Sequence, residues 1–111
     1  MPAYWIAHVT VKDPQQYQHY MDLAPQAFRQ FNARFLARGE QAQTLEGPSF
    51  VKHVLIEFDD YATALACYHS PAYQLAKQQR RHVAEAMITI VDGLPPAQLK
   101  SPRRYGGGWV M

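Results

Sequence analysis

The sequence predicts an α+β domain whose elements run β-α-β-β-α-β. Four strand candidates stand at Ala3–Val11, Arg34–Arg38, Phe50–Phe58 and Met87–Val91, all but the short second one rich in β-branched or aromatic residues. Between the first and second of these, and again between the third and fourth, apolar residues recur three and four apart, which is helical spacing. Asp13-Pro14 and Ser70-Pro71 each place a capping side chain before a proline, a pairing that starts helices.

The first strand, "AYWIAHVTV", contains no breaker. The helix after Asp13 carries Tyr17, Tyr20, Met21, Ala24, Ala27, Phe28 and Phe31 on one face. Pro25 lies inside that pattern and cannot donate to the Met21 carbonyl, so a kink or a break is expected there. Asn32 tolerates the left-handed conformation and can stop the helix. The short second strand ends at Arg38, with Gly39 available for a positive φ. The third strand, "FVKHVLIEF", is nearly continuous in apolar residues, which points to a central position in the sheet. Asp59 or Asp60 caps the helix "YATALACYH", and Ser70 starts a further helical segment through "AYQLAKQQRRHVAEA". The last strand, "MITIV", stops at Asp92-Gly93.

This order resembles the ferredoxin-like split β-α-β fold, one four-stranded antiparallel sheet with helices on a single face. Neither side of strand one is polar throughout: Trp5, Ala7, Val9 and Val11 alternate with Tyr4, Ile6, His8 and Thr10. One helical layer covers one face only, so a second copy of the chain is expected on the other. Residues 1–94 form the domain, and 95–111, with three prolines and the run "GGG", read as a tail of low intrinsic order.

Composition narrows the function. A chain of 111 residues with 48% hydrophobic and 18% charged residues builds one folded domain. A net charge of +2 with scattered arginines gives no basis for a nucleic-acid partner. The single cysteine, Cys67, excludes an internal disulfide, and no apolar run is long enough to span a bilayer. With no signal peptide at the start, a cytoplasmic protein without a membrane partner is expected.

Several motifs taken together, "YWIAHVTVKDPQQYQHY", "ARFLARG" with "LEG", "LIEF", "YHSPAYQLAKQQR" and "IVDG", resemble the domain-of-unknown-function 1330 family, small bacterial proteins of the dimeric α+β barrel superfamily. The resemblance spans Ala3 to Gly93. Its pattern singles out Trp5, Tyr17, Tyr20, Arg38, Gly39, Glu46, Glu57, Ser70, Tyr73, Arg80 and Gly93, among others. Asn32 and Glu40 depart from it, each standing where a glycine is usual. The resemblance implies a dimeric barrel and no established reaction. Fold analogy alone adds monooxygenases, isomerases and haem-binding enzymes as relatives, and fold does not transmit function.

Two constellations carry chemistry. Alternation puts Arg38 on one face of strand two and His53, Leu55 and Glu57 on one face of strand three. If these faces coincide with that of His8, then His8, Arg38, His53 and Glu57 gather on one side of the sheet. Imidazoles, a permanent cation and a carboxylate suit proton transfer or anion binding. On the plainer reading the histidines are half-buried sheet residues and Glu57 neutralises Arg38. In "YHSPAYQLAKQQR", Tyr73 and Arg80 lie two helical turns apart and share a face, to which Tyr68 can add a second phenol. The plainer reading there makes Tyr73 core and pairs Arg80 with an acid such as Asp92 or Glu46.

The ligand-binding candidates are therefore Arg38, His53, Tyr73, Arg80, His8, Glu57, Tyr68 and Glu46. Arg38 would anchor an anionic group, with Glu46 holding its guanidinium. No metal-ligand spacing, nucleophile motif or phosphate loop is present, and no cofactor is expected. The function expected is the binding of a small anionic or aromatic molecule in a Tyr/Arg/His-lined pocket of each subunit, by either a binding protein or a cofactor-independent enzyme. The alternatives are a non-catalytic ligand sensor or stress-associated dimer, and a haem protein using His8 or His53.

Overall fold

In the computed structural model, which describes residues 1–95, strand β1 (Ala3–Val11) is the spine. It pairs antiparallel with β3 (Lys52–Phe58) on one side and β4 (Ala84–Asp92) on the other. Strand β2 (Arg34–Ala37) borders β3, so the order is β2-β3-β1-β4. The helices are α1 (Pro14–Gln30), α2 (Tyr61–His69) and α3 (Pro71–Arg80). This is the ferredoxin-like α+β arrangement expected, with β3 central. The tail beyond Pro95 lies outside the described residues, among which no helix is long and apolar enough to cross a membrane.

The caps act as the sequence predicts. Asp13 accepts the Gln16 amide at 3.2 Å and Asp60 the Thr63 amide at 2.7 Å. Ser70 joins two helices: its hydroxyl donates to the Cys67 carbonyl at 2.7 Å and accepts the Tyr73 amide at 3.1 Å. Asn32 stops α1 in the left-handed region at φ 57°.

Four details differ from expectation. Helix α1 runs unbroken through Pro25, an exposed residue at which water can satisfy the freed Met21 carbonyl. The positive φ of the β2–β3 excursion falls on Gly47, at 90°, and not on Gly39. Strand β3 starts at Lys52 instead of Phe50. Helix α3 ends at Arg80, and β4 begins at Ala84, inside the stretch expected to be helical. The reason is pairing: β1 offers ladder partners as far as Val11, opposite Ala84, and Ala84, Ala86, Ile88 and Ile90 alternate to match.

One face of the sheet is covered. Trp5 of β1 and Ile56 and Phe58 of β3 are at most 2% exposed beneath the helices. Phe28 of α1 meets the Trp5 ring edge-on at 5.1 Å, and Tyr73 of α3 does so at 5.0 Å. The other face carries Ile6, Leu55, Met87 and Val91, of which Met87 is 49% and Val91 44% exposed.

Candidate functional site

Between the sheet and α1 lies a cavity of about 460 Å³. Its floor is the helix-facing side of the sheet, with Trp5, Ala7, Val9, Val54 and Ile56, and its wall is the apolar stripe of α1 from Tyr17 to Phe28. Arg80 closes the inner end from α3, while Arg38, Gly39 and Glu40 reach it from the β2–β3 excursion and Lys52 from β3. Three cations and one carboxylate thus line an otherwise apolar space. Cavities of this size and make-up are where small ligands bind.

The polar end is a connected chain. The Arg80 Nη2 donates to the Tyr73 hydroxyl at 3.2 Å, and the Tyr73 and Tyr20 hydroxyls share a hydrogen bond of 2.9 Å. The guanidinium also lies 5.4 Å from the Tyr20 ring centroid, a cation–π contact. Tyr73 is fully buried, whereas Tyr20 lines the cavity. Either hydroxyl can donate in this bond; when Tyr73 donates to Tyr20, the Tyr20 proton is left for whatever enters the cavity.

Burial pushes the Tyr20 phenol well above its ordinary range, reinforced by Tyr73, so it remains a neutral donor. Burial likewise raises Tyr17, although Arg80 partly opposes this. Burial alone would lower Arg80, but the phenols of Tyr73 and Tyr20 outweigh it and the guanidinium stays charged. The site therefore presents a half-buried cation and a phenol hydroxyl to the same space.

A family model described as "Domain of unknown function (DUF1330)" matches residues 2–94. The chain belongs to the DUF1330 family. Among solved structures, this DUF1330 chain is similar to a protein of unknown function from Rhodopseudomonas palustris, at 16% identity and TM-score 0.70, over 86% of this chain and 84% of that one. It is also similar to SnoaB, a cofactor-independent oxygenase from Streptomyces nogalater, at 10% identity and TM-score 0.58, over 85% and 94%. A dimeric ferredoxin-like protein of unknown function from Jannaschia sp. CCS1 matches at 10% identity and TM-score 0.62, over 84% and 100%. At these identities the likeness establishes the fold. None of the curated proteins matches the chain.

The structure divides the residues singled out from sequence. Arg38 and Arg80 line the cavity, Tyr73 stands behind it, and His53 borders it while its ring belongs to the open face. Of the gathering expected on one sheet face, His8, His53 and Glu57 do share the open face, and Arg38 alone leaves it. A bulge between Phe35 and Ala37 shifts the register, so Arg38 turns to the helix side, with its guanidinium 4.8 Å from the Phe35 ring centroid. Glu57 bonds instead to Arg34, whose Nε lies 2.9 Å from Oε1, and Arg34 also reaches Asp59 at 3.0 Å. Those two carboxylates raise the Arg34 pKa, the Glu57 hydrogen bond most of all.

His8 and His53 pair with each other across the open face, Nδ1 to Nδ1 at 2.8 Å. Glu46 is exposed and forms no ion pair with Arg38 among the described residues. Tyr68 accepts from Lys77 at 2.8 Å, away from the cavity. Arg80 pairs with phenols, not with Asp92 or Glu46.

Sequence reasoning placed Tyr17 and Tyr20 on the apolar face of α1 without assigning them to the site, and it passed over Lys52. The missed signal was chemical: two phenols one turn apart on a core-facing stripe need polar partners. Cys67 is buried, with its thiol pushed by burial from 9.0 to about 12, far from a thiolate. No group of three His, Cys, Asp or Glu among the described residues is arranged to hold a metal.

Proposed function

We propose that this DUF1330 protein binds a small aromatic molecule carrying an acidic group in the cavity between the sheet and α1. The observation that carries the reading is the Arg80–Tyr73–Tyr20 chain, which brings a phenol hydroxyl and a half-buried guanidinium to one apolar space. Arg38 and Lys52 add positive charge at the mouth against the single carboxylate of Glu40. The aromatic part of the ligand packs on Trp5 and Phe28, and its carboxylate or phenolate accepts from Tyr20 and Arg80. A second copy of the chain covers the open sheet face, as its exposed Met87 and Val91 call for and as the dimeric Jannaschia protein supports.

Trp5 lines the cavity and serves as a reporter once Trp109 is replaced by phenylalanine. In that Trp109→Phe background, 2-naphthoate should quench Trp5 saturably, and Tyr20→Phe should weaken the affinity about tenfold. Equal binding of an uncharged naphthalene, or no quenching at millimolar naphthoate, would overturn the proposal. Oxygen uptake with an added hydroquinone and no cofactor would place the chain functionally beside the Streptomyces oxygenase. Quenching without uptake would make it a binding protein.

A further inference from the structure

A second concavity, of about 490 Å³, lies on the far side of Arg80. Among the described residues, strand β4 is an edge strand paired with β1 alone, and α2 and α3 cover its helix-facing side only in part. Ala86, Ile88 and Ile90, all half-buried, form the floor of this groove, and Leu65 of α2 extends it. Along a strand, the step from Ala86 to Ile90 spans about 13 Å. The opposite wall is polar: Tyr68, His69, Lys77 and Arg80.

Among the described residues, no carboxylate lines this groove. The ion pairs among the described residues are Lys12 with Glu85 and Arg34 with Glu57 and Asp59, so neither Lys77 nor Arg80 has an acidic partner. The two cations stand one turn apart on α3, where like charges repel. Lys77 has three ammonium donors and a single acceptor, the Tyr68 hydroxyl at 2.8 Å, while its charge rests 5.1 Å from the Tyr68 ring centroid. Two uncompensated, half-buried cations above an apolar floor form an amphipathic site. Its complement is a molecule with an anionic head and an apolar body.

We propose that the groove binds an amphipathic carboxylate, with the head between Lys77 and Arg80 and an acyl or alkyl-aryl body along Ala86, Ile88 and Ile90. The planar Arg80 fork suits a carboxylate, and Lys77 supplies a point charge. A polynucleotide would need a longer cationic stripe, which the apolar floor interrupts. The site is separate from the one between the sheet and α1, although Arg80 and Ile88 border both.

Calorimetric titration of the full chain with sodium decanoate should give saturable binding, with decyltrimethylammonium binding at least tenfold more weakly. Lys77→Met keeps the apolar stem, removes the charge, and should weaken decanoate about tenfold. Lys77 does not touch the first cavity, so the same variant should leave quenching of Trp5 by 2-naphthoate unchanged. Equal affinity for both decyl compounds overturns the proposal. So does decanoate affinity that Lys77→Met leaves untouched, which would place the carboxylate elsewhere. Loss of naphthoate binding alone strikes at the first site and not at this one.

Discussion

The two faces of the sheet handle polar groups in opposite ways. On the open face they satisfy one another: His8 bonds His53, and Arg34 bonds Glu57 and Asp59, while Ile6, Leu55, Met87 and Val91 supply apolar surface between Tyr4, Thr10, Glu85 and Thr89. On the helix face, cations stand without acids: Arg80 leans on phenols, Lys77 on Tyr68, and Arg38 on the Phe35 ring. A face whose charges are already neutralised amid half-exposed Ile6, Leu55 and Met87 is ready for another protein surface. A face with uncompensated cations beside cavities is ready for an anion. The comparison predicts that substitutions on the two faces fail in different ways.

The largest effect belongs to the helix face. Phe28 packs against Trp5, Phe35, Phe58 and Tyr73, and it is 6% exposed. Phe28→Ala should cost about 3 to 5 kcal/mol, as large aromatic deletions in cores do. A thermal melt unshifted by that substitution would show that this face is not the core. On the open face, Leu55→Asp should leave the single-chain fold intact but change assembly. Light scattering of the wild-type protein should give twice the 12.7 kDa of one chain, and that of the variant the single mass. A wild-type monomer, or a variant that stays dimeric, would remove the partner from this face.

How much of this was legible in the sequence depended on the range of the interaction responsible. Asp13, Ser70 and Asn32 act within a few residues, so caps and helix stops could be read directly. The central place of β3 followed from its apolar run. The start of β4 at Ala84 could not be read, because β1, some seventy residues away in sequence, supplies the ladder that overrides a helical pattern. The side of the sheet to which Arg38 belongs was equally hidden. One extra residue in the bulge after Phe35 reverses the parity of everything beyond it. The Tyr20–Tyr73–Arg80 chain joins α1 to α3, and sequence spacing could link only its Tyr73 and Arg80 members.

A smaller effect separates the faces by pH. Beneath the helices, burial holds the Tyr17 and Tyr20 phenols and the Cys67 thiol protonated. Once pH passes about 9, the unfolded chain releases the thiol proton that the folded chain keeps up to about 12. More protons are then bound in the folded state, so stability falls as pH rises through this window, and the phenols extend the fall above 10.0. Cys67→Ala should flatten the decline of melting temperature between pH 9 and 12. A decline identical in the variant would mean that the thiol ionises as readily in the fold as out of it.

The smallest expected effect sets two arginines of one short excursion against each other. Arg34 faces the open side with two acid partners, and Arg38 faces the cavity with none among the described residues. The Arg34 side chain is 40% exposed, so its ion pairs are screened and Arg34→Ala should cost no more than about 1 kcal/mol. The loss should show in the melt and leave naphthoate affinity alone. Arg38→Lys keeps the charge at the cavity mouth but loses the planar fork. It should leave the melting temperature where it is, because no acid in the fold depends on it, and weaken naphthoate by a few-fold. If instead Arg38→Lys lowers the melting temperature and spares the affinity, Arg38 is a structural residue, and the anionic group of the ligand is held by Arg80 and Tyr20 alone.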